Sequence, residues 1–436
     1  MLEKVQRHIN QNLPFLNNSK LLIAVSGGID SMVLLDICIK LKLDFCIAHC
    51  NFSLRDKESD TDQQFIEEYA KSNNIKLFVT RFDTMRFGAD NKVSVQVAAR
   101  QLRYLWFDEL LSENSIDYLL TAHHLDDSLE TFIINLSRGT GLDGLMGIPQ
   151  QNGNTIRALL PFSRKDIESY AHKNNIAWRE DSSNASDKYL RNKIRHTIAP
   201  EIKKLNDSFD TSFYNSLLKL QQSQSLATDA AVLVYKQVVT DNNNKKYINI
   251  KQLIRLPNYK AYLYEWLKGF GFTAWDDIHR LINAQSGKVV YSGNYRLLKD
   301  RDIFILEAKR QEQPHMYEIN AGTAEIVNPL HIKVTPVNKI TKTGNNSVIF
   351  VDAEKIKFPL FVRKWLEGDV FYPLGMNGLK KKISKYFKDE KLSLSDKEDT
   401  WLLSTVNEIV WIIDKRADER FKVTDTTTQI LKIEFL

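Results

Sequence analysis

Apolar positions follow two alternating patterns from the start of the chain to about residue 160. Short apolar runs, typical of strands buried on both faces, are separated by longer segments with apolar residues at every third or fourth position, typical of helices. Strands are predicted at Leu21–Val25, Phe45–Ala48, Leu77–Thr80 and Tyr118–Thr121. Helices are predicted at Ser31–Leu41, Thr61–Ser72, Val95–Leu111 and Asp126–Asn135. This alternation predicts an α/β fold with a doubly wound parallel sheet.

The pattern changes further along the chain. Ser163 is placed to cap a helix at Lys165–Lys173, and the polar segment Glu180–Asp187 is expected to form a loop. Helical spacing then dominates at Phe213–Tyr235 and Tyr259–Phe270. A mainly helical middle domain is therefore expected.

Shorter elements are predicted towards the end of the chain. Strands are expected at Val289–Tyr291 and Ile303–Leu306, followed by a linker at Gln311–Pro314. Turn residues and strands such as Ile409–Ile413 then predict a small α+β domain. We expect a nucleotide-binding domain at 1–205, a mainly helical domain at 206–312, a linker with small strands at 313–357 and a C-terminal domain at 358–436.

Length and charge restrict the class of protein. The chain has 436 residues, of which 43% are hydrophobic, enough for several cores. The net charge of +6 permits a polyanionic partner without requiring one. No segment approaches the ~20 consecutive apolar residues of a membrane span, and the start of the chain does not resemble a signal peptide. We expect a cytoplasmic protein with no membrane partner.

The three cysteines, Cys38, Cys46 and Cys50, are clustered near the start of the chain. An odd number in one cluster fits a reducing compartment better than a disulfide framework. Cys46 and Cys50 are four positions apart and have no second cluster with which to complete a zinc site. Metal–thiolate chemistry is not expected.

The run Ser26–Ser31 lies between the first predicted strand and the first predicted helix. Its two glycines let the backbone approach an anion, and the first N–H groups of a helix favour negative charge. The run lacks the Gly-x-x-x-x-Gly-Lys-Ser/Thr pattern of the Walker P-loop. It predicts a phosphate site of another kind. The alternative is a tight turn in which Asp30 and Ser31 only cap the helix.

Polar residues also follow the second and fourth predicted strands, namely His49-Cys50-Asn51 and His123-His124-Leu125-Asp126-Asp127. Ligands of open parallel sheets bind at the carboxyl ends of the strands, so these residues are expected at one edge. Asp127 and Glu130 are three positions apart and share a helix face, where they could bind Mg²⁺ or an ammonium group. The alternative is a simple interaction with the helix dipole.

Arginines are the other candidates for binding groups. Arg100 and Arg103 lie on one predicted helix, and Arg191 and Arg195 follow the Asp181–Asn184 loop. Arginine suits bidentate contacts to phosphate, although an arginine on a helix is more often solvated or paired with a carboxylate.

Together these motifs resemble those of the tRNA(Ile)-lysidine synthetases, in the N-type ATP pyrophosphatase (PP-loop) superfamily. Ser26–Ser31 marks only the superfamily, whereas His123-His124-x-Asp126-Asp127-x-x-Glu130 and Arg191-Asn192-x-Ile194-Arg195 are more specific. Further matches are His49-x-Asn51-x-x-Leu54-Arg55, Ala99-Arg100-x-x-Arg103-Tyr104, Arg138-Gly139-Thr140-Gly141, Glu367-Gly368-Asp369, Pro373-Leu374-Gly375-Met376 and Asp418-Glu419-Arg420-Phe421. The chain departs from many members at Phe52, Ser53, Ala158 and Ser182.

The resemblance implies an adenine nucleotide alpha hydrolase-like fold and a two-step ligation. ATP would adenylate the C2 oxygen of the wobble cytosine of tRNA(Ile) with a CAU anticodon, with release of pyrophosphate. The amine of free L-lysine would then displace AMP and give lysidine. ATP and Mg²⁺, a tRNA partner and a homodimer follow from the resemblance, although no dimer interface is evident in the sequence.

The resemblance also implies roles for individual residues. ATP is expected to bind at Ser26, Gly27, Gly28, Ile29, Asp30 and Ser31. Asp30 would position Mg²⁺ or pyrophosphate, and Arg103 and His123 would offset charge on the α-phosphate.

For the amino acid, the resemblance implies that Asp127 and Glu130 hold the charged groups of lysine. Arg195 would contact AMP or the lysine carboxylate.

The C-terminal segment 358–391 has an excess of basic residues. It has eight Lys and Arg against four Asp and Glu, a local charge of +4. Lys380, Lys381, Lys382 and Lys385 lie here beside aromatic residues, which fits contact with the tRNA backbone. A solvated lysine-rich helix face is the alternative.

Three other functions share part of this pattern. A tRNA thiolase needs a working cysteine near the site, for which Cys50 is the candidate. Amide-forming relatives such as GMP synthetase need an ammonia source, and no glutaminase domain is evident. A nucleotide-sensing RNA-binding protein could lose Asp30, His123 and Glu130 without cost, so their presence favours an enzyme.

Overall fold

The computed structural model describes residues 1–54, 57–180, 190–242, 244–309, 316–323, 325–341 and 346–436. They form two compact units, Met1–Asp229 and Ala230–Leu436. Arg55, the expected loop from Asp181 to Asp187 and the expected linker at Gln311–Pro314 lie outside the described residues.

The first unit contains the predicted alternation of strands and helices. Its strands are β1 (Leu21–Ala24), β2 (Phe45–Asn51), β3 (Leu77–Arg81), β4 (Tyr118–Leu120), β5 (Gln151–Asn152) and β6 (Thr155–Ile156). Its helices are α1 (Leu2–Asn12), α2 (Ile29–Lys40), α3 (Lys57–Ser72), α4 (Thr84–Asp90), α5 (Val95–Glu113), α6 (Leu125–Ser137), α7 (Leu142–Leu145), α8 (Arg164–Lys173), α9 (Leu190–Lys193) and α10 (Ala199–Lys203), with α11 (Phe209–Val238) continuing into the second unit.

These strands form one six-stranded sheet in the order β3-β2-β1-β4-β6-β5. Every neighbouring pair is parallel except β5 and β6. Leu21, Leu22 and Ile23 of β1 are fully buried, because helices cover both faces of a doubly wound sheet. The predicted doubly wound parallel fold is confirmed.

The second unit consists mainly of antiparallel sheets. Its helices are α12 (Ile250–Leu253), α13 (Tyr259–Leu267), α14 (Trp275–Leu281), α15 (Ile383–Asp389) and α16 (Leu394–Asp399). Its strands are β7 (Val239–Asn242), β8 (Lys245–Asn249), β9 (Val289–Tyr291), β10 (Tyr295–Asp300), β11 (Ile303–Ala308), β12 (Met316–Ile319), β13 (Glu325–Ile326), β14 (Ile332–Val337), β15 (Val348–Asp352), β16 (Leu360–Lys364), β17 (Val370–Phe371), β18 (Lys381–Lys382), β19 (Trp401–Ser404), β20 (Ile409–Ile412), β21 (Arg416–Ala417) and β22 (Ile430–Phe435).

The segment expected as a mainly helical middle domain, 206–312, also contains a five-stranded sheet. Its order is β7-β8-β11-β10-β9, and α13 and α14 contribute apolar residues to the same core. Only β9 and part of β11 were predicted. The hairpin β7–β8 is rich in Lys, Asn and Asp, so its exposed polar positions hide the alternation that identifies a strand.

The boundary expected at residue 358 falls inside one folded region. Strand β12 pairs with β16, and β14 and β15 pair with β22. Ile319, Val351 and Trp411 share one core, so the strands expected as part of a linker belong to the C-terminal sheets. Sequence periodicity does not show such pairings because they join segments far apart in the chain.

Among the helices of the described residues, none is sufficiently long and apolar to span a membrane.

A buried ionic cluster joins the five-stranded sheet to α16. Arg296 Nη2 lies 2.6 Å from both Glu307 Oε1 and Glu398 Oε2, and Ser395 Oγ donates to Glu307 Oε2 at 2.8 Å. Arg296→Met would remove a positive charge that offsets the negative charge of the buried Glu307 carboxylate. Lys245 Nζ, 3.2 Å from Glu307 Oε2, would remain beside it. We expect a loss of about 3 kcal/mol in the free energy of unfolding, measured with urea.

A matched control is Arg280→Met, because Arg280 is exposed and lies 3.6 Å from exposed Asp277. This change should cost under ~1 kcal/mol. Equal losses for the two variants would contradict a structural role for the buried cluster.

Candidate active site at the carboxyl edge of the parallel sheet

Strands β1 and β4 are adjacent and parallel. After β1 the next strand of the chain, β2, lies on one side of this pair, whereas β5 and β6, which follow β4 in the chain, lie on the other side. Such a switch point leaves a crevice at the carboxyl ends of the two strands. The Ser26–Ser31 turn follows β1, and His123–Asp127 follows β4. The fold therefore brings together the two sequence motifs that were expected to meet.

The glycine turn has a defined geometry. Gly27 has φ of +88°, which a residue with a side chain adopts only with strain, and its carbonyl accepts the backbone N–H of Arg179 at 2.9 Å. The Ser31 hydroxyl donates to Gly28 O at 2.8 Å and lies 3.3 Å from Ser26 Oγ. The first N–H groups of α2 have no acceptor within the helix, which is the property that suits an anion.

Asp30, in the first turn of α2, is paired with an arginine that sequence analysis missed. Arg164 Nη1 donates to both carboxylate oxygens of Asp30, at 2.7 and 2.6 Å. Burial raises the pKa of Asp30, and this effect outweighs the opposite influence of His124 and Arg164. Among the described residues, no group of three or more His, Cys, Asp or Glu is arranged to hold a metal ion. Asp30 alone would supply few protein ligands to Mg²⁺.

His124 lies between three carboxylates. Its Nε2 is 3.7 Å from Asp30 Oδ1 and 3.5 Å from Asp127 Oδ2, and its Nδ1 is 3.9 Å from Asp126 Oδ2. The side chain is 5% exposed. Asp126 also accepts the backbone N–H of Arg164 at 2.8 Å, so it ties the start of α8 to the start of α6.

Asp127, Glu130, Arg191 and Arg195 form an arginine–carboxylate cluster. Arg191 Nε and Arg195 Nε each donate to one oxygen of Glu130, both at 2.6 Å. Asp127 Oδ1 faces the same arginines at 3.1 and 3.4 Å. Burial would raise the pKa of Asp127, but His124, His123, the His124 N–H and Arg191 together lower it. Both carboxylates are therefore already neutralised by arginine.

His123 donates to or accepts from Thr121 Oγ1 through Nδ1 at 2.9 Å. Burial lowers the pKa of His123 to about 4, helped by Arg157 and Arg191, although Asp127 acts in the opposite direction. The imidazole is therefore neutral at pH 7, and it can offer a hydrogen bond to phosphate but no positive charge.

We expect the His123 ring to titrate near pH 4 by NMR, with no protonation step between pH 6 and 8. Since the unfolded chain takes up this proton near pH 6.5, the folded state should lose stability as the pH falls from 6.5 towards 4. A His123 midpoint at or above 6.5 would contradict this account.

Arg103 lies apart from these contacts. Its guanidinium is 5.0 Å from the centroid of the Phe52 ring, which stacks on Phe82. In the described part of the chain, no ion pair or hydrogen bond links Arg103 to the glycine turn or to α6. Its expected role at the α-phosphate stays a prediction.

Cys50, the candidate for thiolase chemistry, has a pKa raised to about 12 by burial, against a smaller effect of Arg103. The thiol is therefore protonated at neutral pH and poorly suited to attack.

The four C-terminal lysines differ in their surroundings. Lys380, Lys382 and Lys385 are exposed. Lys381 Nζ pairs with Asp389 at 2.8 Å and lies 5.6 Å from the centroid of Tyr386. The Lys381 ammonium group is thus already engaged in contacts within its own domain.

Sequence analysis missed Arg164 because it missed the strand that brings it to the site. β6 has two residues, Thr155 and Ile156, and lies beside β4, so the segment that follows it reaches the same sheet edge. A two-residue strand has no detectable periodicity. The motif containing Arg191 was recognised, but its pairing with Glu130, 61 residues away, is not visible in a single sequence.

Two family models and several full-length relatives match this chain. Residues 1–202 match the family described as PP-loop domain, and residues 241–309 match the family described as TilS substrate binding domain. A tRNA(Ile)-lysidine synthase of Parabacteroides distasonis is 34% identical, with 100% of each chain covered. One of Bacteroides thetaiotaomicron is 35% identical, with 98% of each covered.

A more distant relative, a tRNA(Ile)-lysidine synthase of Caldanaerobacter subterraneus, is 28% identical over 100% of this chain and 97% of its own. Among solved structures, a U34-tRNA thiolase of Methanococcus maripaludis superposes with a TM-score of 0.43 and 16% identity, covering 51% of this chain and 78% of that chain. The full-length sequence matches are the informative ones. On their strength, the chain belongs to the tRNA(Ile)-lysidine synthase family.

Proposed function

We propose that this chain is an ATP-dependent ligase that joins free L-lysine to C2 of the wobble cytosine of tRNA(Ile) with a CAU anticodon. The observation that carries the proposal is the full-length match to lysidine synthases, in a chain that retains both motifs at the sheet edge. In the first step the C2 oxygen bonds to the α-phosphorus of ATP and pyrophosphate leaves. In the second, the lysine amine gives up its extra proton to solvent and bonds to C2, and AMP leaves with the oxygen.

The chain's own residues have distinct proposed tasks in the first step. The backbone of Gly27 and Gly28, with the hydroxyls of Ser26 and Ser31, would hold the phosphates. Asp30 would exchange its contact with Arg164 for Mg²⁺ or the leaving pyrophosphate. Mg²⁺ is commonly held by one or two carboxylates together with substrate phosphates, which fits a single acidic residue here.

In the second step, Asp127 and Glu130 would hold the charged groups of lysine, and Arg195 would contact AMP or the lysine carboxylate. Buried carboxylates select a cation because an uncompensated charge in such a place is costly. A cytoplasmic location and a homodimer stay predictions from the sequence.

The proposal is tested by measuring AMP and pyrophosphate release from ATP, with and without lysine, using tRNA(Ile) with CAU, methionine tRNA with the same anticodon, and no RNA. AMP release that needs both lysine and the first tRNA supports the ligase. Turnover that ignores lysine but needs sulfide or ammonia would indicate another chemistry of the superfamily, and no turnover would favour a binding protein.

For the RNA contact, Lys385→Ala should weaken tRNA binding and reduce the slope of log K against log salt by about 0.7–0.9. The reason is that each phosphate contact releases about one counterion. Filter binding between about 50 and 200 mM salt measures the slope. Lys251→Ala is the control, since Lys251 is an exposed lysine paired with Asp302 outside the basic segment. An unchanged slope for Lys385→Ala would remove this residue from the interface.

A further inference from the structure

The arginine–carboxylate cluster has balanced formal charges without a ligand. Two carboxylates, Asp127 and Glu130, face two guanidinium groups, and each oxygen of Glu130 already accepts an arginine Nε at 2.6 Å. The Glu130 side chain is 2% exposed, and the second Asp127 oxygen accepts the His124 N–H at 3.0 Å. An added ammonium group would therefore meet carboxylates that are already paired, and it can bind them well only by replacing a guanidinium.

Of the two arginines, Arg191 is the less firmly held. It makes one contact to Glu130 and one to Asp127, whereas Arg195 makes two contacts to Glu130 and one to Asp127. The Arg191 side chain is 45% exposed against 36% for Arg195. Arg195 is also next to Ile194, which is 1% exposed and anchors that turn in the core.

We propose that Arg191 occupies the place of the side-chain ammonium group of lysine and leaves it when lysine binds. This inference rests on the proposed function, because it takes Asp127 and Glu130 as the lysine site. Arg191 is then a specificity residue, since only an amino acid with a positively charged side chain can replace it. Amino acids of similar length without a side-chain cation are excluded.

The released guanidinium needs a new anionic partner. Phosphate oxygens of ATP or tRNA are suitable, because arginine binds phosphate through two parallel hydrogen bonds. Bound nucleotide and RNA should therefore raise the affinity for lysine. By linkage, bound lysine should raise the affinities for nucleotide and RNA by the same factors.

The direct test is equilibrium dialysis of labelled lysine without ATP or tRNA. Arg191→Met should bind lysine at least about tenfold more tightly than the wild type, because two buried carboxylates then share one guanidinium. Arg191→Lys, which keeps a tethered cation, should remain near the wild type. Arg86→Met is the matched control, since Arg86 is 80% exposed and lies 3.8 Å from Asp90 on α4. Norleucine, which keeps the α-ammonium group of lysine but lacks its side-chain ammonium group, should bind to none of them.

Equal lysine affinity in the wild type and Arg191→Met, or weaker binding by the variant, would overturn the inference. A second measurement does not depend on the folding of a variant. In the wild type labelled with ¹⁵N-arginine, lysine in the presence of an unreactive ATP analogue and tRNA should shift the Arg191 Nε–H signal, assigned from Arg191→Lys. An unshifted signal at saturation would also overturn it.

Failure of the proposed function has a separate signature. It would appear as AMP release in the wild type that does not depend on lysine. Lysine-dependent AMP release together with equal binding by the wild type and Arg191→Met would reject only the role of Arg191.

Discussion

Asp30→Ala is expected to reduce pyrophosphate release by about 10²–10³-fold, the cost of losing one group aimed at developing charge. Asp30 is the acidic residue of the glycine turn, and its carboxylate is held by Arg164 at 2.6–2.7 Å. Alanine removes the proposed contact to Mg²⁺ or pyrophosphate and leaves Arg164 without this partner. The measurement is single-turnover pyrophosphate release with saturating tRNA.

Asp36→Ala is the control for this change. Asp36 lies on the same helix, α2, but its carboxylate pairs with Lys40 at 2.9 Å and accepts the Tyr170 hydroxyl at 2.7 Å, away from the turn. Its rate should stay within about threefold of the wild type, as expected for a partly exposed ion pair. Similar losses in both variants would mean that α2 has been disturbed generally and that Asp30 has no special role.

Glu130→Gln is expected to raise the KM for lysine by about 10²-fold, while the KM for ATP changes little. The substitution keeps the shape of the side chain but removes a buried negative charge, which two arginines contact in this structure and to which the incoming amine is proposed to bind. The glycine turn is not in contact with Glu130, so nucleotide binding should persist. The measurement is the initial rate of AMP release as a function of each substrate in turn.

Glu201→Gln is the control, because Glu201 on α10 is exposed and pairs with exposed Lys204, so both constants should stay unchanged. Equal losses of lysine and ATP affinity in Glu130→Gln would reject the proposed lysine site. The cluster would then be a structural ion-pair network at the start of α6.

Much of the first unit could be predicted because its strands are buried on both faces. Leu21–Val25 is a continuous apolar run, and the helix after it begins next to the glycine turn, so strand, turn and helix follow from local pattern alone. The location of the site then follows as well, because ligands of open parallel sheets bind at the carboxyl ends of the strands. For these reasons the motifs after β1 and β4 could be assigned to one site before any coordinates were known.

The partners of the acidic residues could not be predicted in the same way. Arg164 reaches Asp30 through β6, a strand of two residues, and Arg191 reaches Glu130 across 61 residues of chain. Long-range pairing depends on tertiary packing, which periodicity does not record. The β7–β8 hairpin was missed for a different reason, since its polar residues are exposed and only Ile248 of β8 is deeply buried.

The electrostatics of the site assign separate tasks to neighbouring residues. His123 is neutral at pH 7 and can only offer a hydrogen bond, whereas positive charge comes from Arg164, Arg191 and Arg195. All three arginines are paired with carboxylates. In the proposed mechanism, substrate binding exchanges the Arg164 and Arg191 ion pairs for contacts to phosphate, Mg²⁺ or lysine.

The most direct test of the central claim is the mass of the RNA after reaction. The chain is incubated with ATP, labelled lysine and tRNA(Ile) bearing CAU, and the RNA is digested and analysed by mass spectrometry. We predict that the anticodon cytosine gains the mass of one lysine residue, with one AMP released per lysine incorporated. An unmodified cytosine despite AMP release, or a mass change corresponding to replacement of the C2 oxygen by sulfur or by an amino group, would contradict the assignment as a lysine ligase.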